Sequence, residues 1–424
     1  MRHPLIEFTA ATLVTGALCT GGTAHGAIED SLTAGDDPQQ NLVRLVSVLR
    51  QLQTNNQSLG DLAETTSILD RLIQRSRVLT TLRTLLPDVV RHHALRERRP
   101  FNTTQTRKSS QKQARRSKAM DYAALSNYGG DVLNWADSSD TFEASYDLWL
   151  QAYADDASQD DADGLGGFDS SGNGVAVGID YSISERWSVG VNLGRGLTEV
   201  TTDIFGDDEV DSLEYGASLS YTFDAHTLMF SLNQSDAETE RLRYIVLFPD
   251  SGPRFFGLSS EIDSGQTSAS LAYSGYFELN PGFSFAPFIS LSHAELTTDD
   301  YVETGNGTMA LAVTTDDEVQ VVGATGVTFA WDRQLGENWL LTPSVGAAFE
   351  HDFKADATQT LSRFRNTPLT FATQGYGIEE NRWRFSAGLG FYHRNEVAIS
   401  LSYEGHRKGD YSYDAAIISF QVKL

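Results

Sequence analysis

Residues able to make or break bonds are few in this chain, and their spacing suits the task poorly. His351 stands beside Asp352 and His293 lies two residues from Glu295; a histidine oriented by a carboxylate is the pair that activates a hydrolase serine. Neighbouring residues of a strand point to opposite faces, so His351 and Asp352 do not make a dyad on one side. No HExxH, GxSxG or P-loop pattern occurs. Asp160, Asp161 and Asp163 before Gly164 look like part of a calcium loop, but Gln159 takes the first ligand position and Ser170 the closing position, which needs Glu. Gly164, Gly166 and Gly167 sit in an acidic stretch with no helix after them, which reads as tether and not as a phosphate cradle. The single cysteine, Cys19, lies in the N-terminal apolar stretch, which leaves the rest of the chain without disulfide or thiolate. The expectation is a protein that is not an enzyme and uses no cofactor or metal, with a hydrolase resting on His351 or His293 as the alternative.

Charge narrows the partners. Residues 1–118 hold 17 Lys and Arg against 10 Asp and Glu, while residues 119–424 hold 15 against 47. A part this acidic repels phosphate backbones, and no nucleic-acid partner is expected. Ten of the basic residues fall between Arg91 and Lys118 with only Glu97 opposing them. The N-terminus has Arg2 and His3 ahead of an apolar run from Phe8 to Leu18, and small residues near Ala24 to Gly26; residues 1–26 read as a cleaved export signal.

What would position any functional residue changes in kind along the chain. Leu42, Leu45, Val46, Leu49 and Leu52 repeat at helical spacing, and Ile68 to Val90 continue the theme after an interruption at 54–58. Residues 27–100 are therefore expected to be a short helical region, 101–141 a basic linker with a second helical candidate near 118–125, and 142–424 something else. From Phe142 the apolar period is two. Val175, Val177 and Ile179 alternate with Ala176, Gly178 and Asp180, and the rhythm persists to the C-terminus. Turns at 184–186, 224–226, 280–282, 335–338 and 393–395 are short, whereas 156–171, 200–211, 239–263, 297–317, 355–379 and 405–411 are long and polar. Twelve strands follow, at 145–155, 172–183, 187–199, 212–223, 227–238, 264–279, 283–296, 318–333, 339–354, 380–392, 396–404 and 412–424. Parity puts the apolar run Met309 to Val313 in an extension of a long loop.

An even number of alternating strands, with short turns on one side and long loops on the other, predicts an all-β transmembrane barrel of the outer membrane. Trp187, Phe223, Phe277, Phe283, Trp331, Trp339 and Phe391 gather on the short-turn side, as an interface girdle would. A soluble secreted β-protein is the main rival. Strand parity turns Gly178, Gly190, Gly194, Gly216, Gly326, Gly346, Gly388 and Gly390 inward, leaving room in the lumen, and turns Asp180, Glu214, Asp332, Glu350 and Glu404 inward with them. Such a lumen favours a basic segment, and Arg115, Arg116 and Lys118 lie at the right distance upstream to supply a plug.

Several stretches in fixed order carry a family likeness. Ser145 to Tyr153 (SYDLWLQAY), Gly174 to Tyr181 with Trp187 to Val191, Phe285 to Phe288 ahead of Glu303-Thr304-Gly305 and Val322 to Ala324, and Pro343 with Glu350 to Phe353 together resemble the autotransporter β-domain, the translocator barrel of type V secretion. The resemblance implies a barrel that exports or displays the chain N-terminal to it. It also implies outer-membrane lipid, lipopolysaccharide, and the export and barrel-assembly machineries as partners of a monomeric barrel. The family usually ends on an aromatic residue read during assembly; here Phe420, Val422 and Leu424 keep the alternation without a terminal ring. A non-exporting channel is the alternative, since only about residues 27–108 remain to serve as cargo.

Overall fold

The computed structural model describes residues 40–54, 145–161, 166–202, 206–247, 254–305, 309–336, 338–355, 357, 359–375, 380–393 and 397–424. Among the described residues one helix, α1 (Gln40–Thr54), precedes the strands. Twelve antiparallel strands among the described residues close into a barrel, each paired with its sequence neighbour: β1 (Ser145–Gln159), β2 (Phe168–Ser182), β3 (Trp187–Thr202), β4 (Gly206–Phe223), β5 (His226–Leu247) and β6 (Arg254–Gly275), the last continued by β7 (Phe277–Asn280). The circuit goes on through β8 (Phe283–Thr298), β12 (Glu318–Trp331) with its continuation β13 (Arg333–Leu335), β14 (Trp339–Asp352), β17 (Asn381–His393), β18 (Val397–Lys408) and β19 (Tyr411–Lys423). Pairing of β1 with β19 and of β6 with β8 leaves the barrel no open edge.

Alternation explains both faces. Outward positions such as Val175, Val177, Val191, Leu193, Leu232 and Ile289 are between 43% and 57% exposed, an apolar belt that water would not favour and a bilayer would. At the short-turn end the belt finishes in rings: Trp187 on Tyr221 at 4.6 Å, Phe277 on Phe285 at 5.1 Å, Phe283 against Trp331 at 5.3 Å. The turns there are tight. Asp224, Gly282 and Gly336 take left-handed backbone conformations that Asp tolerates and Gly adopts freely.

The long-loop end differs from the sequence reading in three ways. Strand pairing runs into 156–171, 200–211 and 405–411, read as loops, out to Gln159 with Phe168, Thr202 with Gly206 and Lys408 with Tyr411. Residues 239–263, read as loop, are mostly strand: β5 and β6 stay paired from His226 and Gly275 out to Leu247 and Arg254. The outward positions there mix Glu240, Glu261 and Asp263 with Leu242 and Phe255, and the inward face mixes Arg241 and Arg243 with Thr239 and Ile245, which hides the alternation. Met309 to Val313 stays off the barrel, as parity requires, but is more than loop. Its last three residues begin β11 (Leu311–Thr315), which joins β9 (Tyr301–Val302), β15 (Gln359–Phe364) and β16 (Thr370–Gln374) in a four-stranded sheet. The short β10 (Thr304–Gly305) ties this loop to the edge of β6.

Candidate functional site

The candidate site is the lumen together with the cap over its long-loop end. Within the lumen, Glu350 of β14 is 4% exposed; it accepts from Arg382 Nε and lies 3.4 Å from Arg384, both on β17. Glu404 of β18 is buried 2.8 Å from His406 Nε2 on the same strand. Asp332 accepts a hydrogen bond from Thr342 Oγ1 at the short-turn end. Asp180 reaches across to the space above Gly190, and Glu214 is half-buried on the inward face of β4. The strand neighbours Arg382, Arg384 and His406 were missed in the sequence; cross-strand register, not composition, makes them partners. Arg115, Arg116 and Lys118 lie outside the described residues, as do residues 1–26 and the helical candidate near 118–125.

The inward glycines do something other than leave the lumen empty. The Trp149 ring lies over Gly178, and Tyr153 over Gly174 and Gly196, so closely that a methyl group would collide. Trp149 is 5% exposed and packs with Ala176 and Tyr153. These glycines admit flat rings to the barrel wall. At the long-loop rim Ala157, Phe168, Val200, Tyr411, Tyr413 and Ala415 form a second inward cluster.

The cap has its own apolar core. Leu45, Val46, Val48, Leu49 and Leu52 of α1, each at most 4% exposed, share one cluster with Ile245, Leu258 and Ile262 of β5 and β6, with Leu311 and Val313 of β11, and with Phe364 and Phe371 of β15 and β16. Helical spacing gives α1 this stripe. Two buried arginines of β5 hold the β8–β12 loop to the hairpin, one by an ion pair and one by a hydrogen bond, the latter also pairing with β4. Arg241 donates to Asp208 at 3.0 and 2.9 Å and to the Tyr301 hydroxyl at 3.1 Å. Arg243 donates to Glu303 at 2.7 Å, and the same carboxylate accepts from the Leu311 amide at 2.8 Å.

The hydrolase candidates are not brought to a common site. His351 lies 3.0 Å from Asn381 Oδ1 and edge-on to Phe353, whereas Asp352 accepts from Gln320 at 2.8 Å on the buried side. Of the calcium-like stretch, Asp161 accepts the Gly167 amide at 2.6 Å, and Asp163 and Gly164 lie outside the described residues. At the C-terminus Phe420 and Val422 face outward opposite Leu150 and Leu148, and the Leu424 amide donates to Tyr146 O at 2.7 Å. Rings near this seam come from the partner strands, where Tyr146 stacks on Tyr181 at 4.7 Å.

Comparison with known proteins agrees with this geometry. Residues 148–404 match the family model of the autotransporter beta-domain. The translocator domain of autotransporter NalP from Neisseria meningitidis is similar in structure, with a TM-score of 0.51 at 14% identity over 74% of this chain and 97% of that one. The transport unit of the autotransporter AIDA-I from Escherichia coli gives 0.47 at 11% identity over 72% and 97%. No curated protein matches the sequence.

Proposed function

The chain belongs to the autotransporter β-domain family and its barrel lies in the outer membrane, and on that premise we propose that the barrel carries its own N-terminal segment outward and displays it. One observation carries the reading. β1 begins at Ser145, paired with Ser182 beside a short turn, and the chain also ends there, with Leu424 bonded to Tyr146. α1 packs at the opposite end, on β16 and in one apolar cluster with Ile245, which is 19 residues along β5 from His226, about 60 Å of strand at about 3.3 Å per residue. Residues 55–144 join those two ends. In a bilayer the lumen is the only polar route between them, because a backbone crossing outside the wall would leave its amides unsatisfied.

The lumen suits a threaded chain: Glu350 keeps Arg382 and Arg384 of the wall beside it and Glu404 keeps His406, and Arg115, Arg116 and Lys118 would join that polar lining as the linker passes. The work is translocation and display, without bond-making chemistry, by a monomer in contact with lipid and lipopolysaccharide and placed by the export and barrel-assembly machineries. Protease shaving of intact cells tests the reading, with an epitope tag after Ala27 and the barrel followed in the outer-membrane fraction. Loss of the tag with the barrel retained is the expected result. A protected tag, with protease access confirmed on another surface protein, would instead favour a channel that exports nothing.

A further inference from the structure

The core of the cap is divided between two parts of the chain. Five of its side chains belong to α1; the remainder come from β5, β6, the sheet formed by β9, β11, β15 and β16, and Met309 and Ala310 just before β11. Without α1 that surface, Phe364 and Phe371 included, would meet water, and without the cap the apolar stripe of α1 would do the same. Each is the other's cover. Arg44, 2% exposed within the helix, shows that even a charged side chain of α1 is enclosed. No disulfide can join the two parts, because the only cysteine is Cys19. The connecting segment carries ten Lys and Arg between Arg91 and Lys118, a target for any protease that cuts after basic residues.

We propose that the cap is a built-in receptor for α1, which holds the N-terminal segment at the surface by non-covalent packing after the connection between residues 55 and 144 has been cut. The partner is thus a segment of this same chain. The inference rests on the export reading for its place outside the cell, although the contact itself does not. An anchor of this kind separates two properties that a covalent tether couples, since the segment can be freed from the lumen and still remain on the surface.

The experiment uses the full-length protein with a tag before Gln40 and a specific protease site inserted between Ser109 and Ser110. In detergent, where access does not depend on export, the cut N-terminal fragment is expected to co-elute with the barrel, and L45D/L49D is expected to lose most of it. L311D, altering the receptor side, should release it likewise, while heat-modifiable migration in gels reports that each barrel is folded. Release of the unaltered fragment on cutting, or equal retention by all three proteins, would overturn the proposal. The same cut on intact cells reads export separately: a site cleaved only after lysis overturns the export reading and leaves the detergent result standing.

Discussion

The residues that matter most in this molecule are charges withdrawn from water. Glu303 is the clearest case, since its carboxylate takes both Arg243 and the Leu311 amide while 2% exposed. An arginine buried in that setting is tolerable only with its partner, and removing one member of a buried pair costs about 3–5 kcal/mol. Glu303→Gln keeps an acceptor for the Leu311 amide but strands the Arg243 charge. Hydrogen exchange across residues 301–315 should therefore lose protection by that order of energy, while the barrel keeps its heat-modifiable migration. Converting the pair together, in R243M/E303Q, should recover most of the loss, because no charge is then left buried without a partner and the glutamine still accepts from the Leu311 amide. The pair Glu350 with Arg382 follows the same logic inside the lumen, with Arg384 as a second cation.

At the scale of elements, the β5–β6 hairpin shows where charge works against the fold. Beyond Leu232 its outer face carries Glu238, Glu240, Glu261 and Asp263, and register sets Glu199, Glu209, Glu240 and Glu261 directly opposite one another across four strands. Like charges so opposed are destabilising. The hydrogen bond and charge of Glu261 raise the Glu238 carboxyl above its ordinary pKa, with smaller contributions from burial, Asp263 and Glu240. A carboxyl raised in the folded state gives its full stabilisation below the unfolded pKa and loses it as pH rises through the folded one. Glu238→Gln should accordingly raise the melting temperature at neutral pH, and the difference should shrink as pH falls towards roughly 4, where an unperturbed glutamate protonates. Much of the barrel was legible in the sequence for the reason this hairpin's tip was not. Lipid-facing positions must be apolar, so Val175, Val177 and Ile179 announce a strand; Glu238 and Glu240 face outward beyond that belt and announce nothing. The cap sheet was hidden differently, because Leu311 pairs with Phe364, 53 residues away, and no local pattern records such a partner. The stripe on α1 was plain from its spacing, whereas its seat depends on three separate loops.

For the whole molecule, twelve strands set the size of the lumen. Eight strands enclose a space that side chains fill, and sixteen or more leave a water channel; twelve lie between, and here Trp149, Tyr153 and the rim cluster take part of the room. That narrows the passage that twelve strands alone would leave, and a chain within it should block current. If the linker threads the lumen through its basic residues, weakening them should loosen the block, because the attraction between Arg115, Arg116 and Lys118 and a lumen lined by acids is among the forces that seat it. Single-channel recordings of the purified protein in planar bilayers provide the measurement: R115Q/R116Q/K118Q should open more often or conduct more than the parent, and the difference should diminish at high salt, where screening weakens both alike. L45D/L49D is the informative comparison, since it acts on the cap and not on the linker. A rise in current with the linker variant alone assigns the block to the lumen, a rise with the helix variant alone assigns it to the cap, and unchanged current in the linker variant would mean that those three residues take no part in closing the barrel.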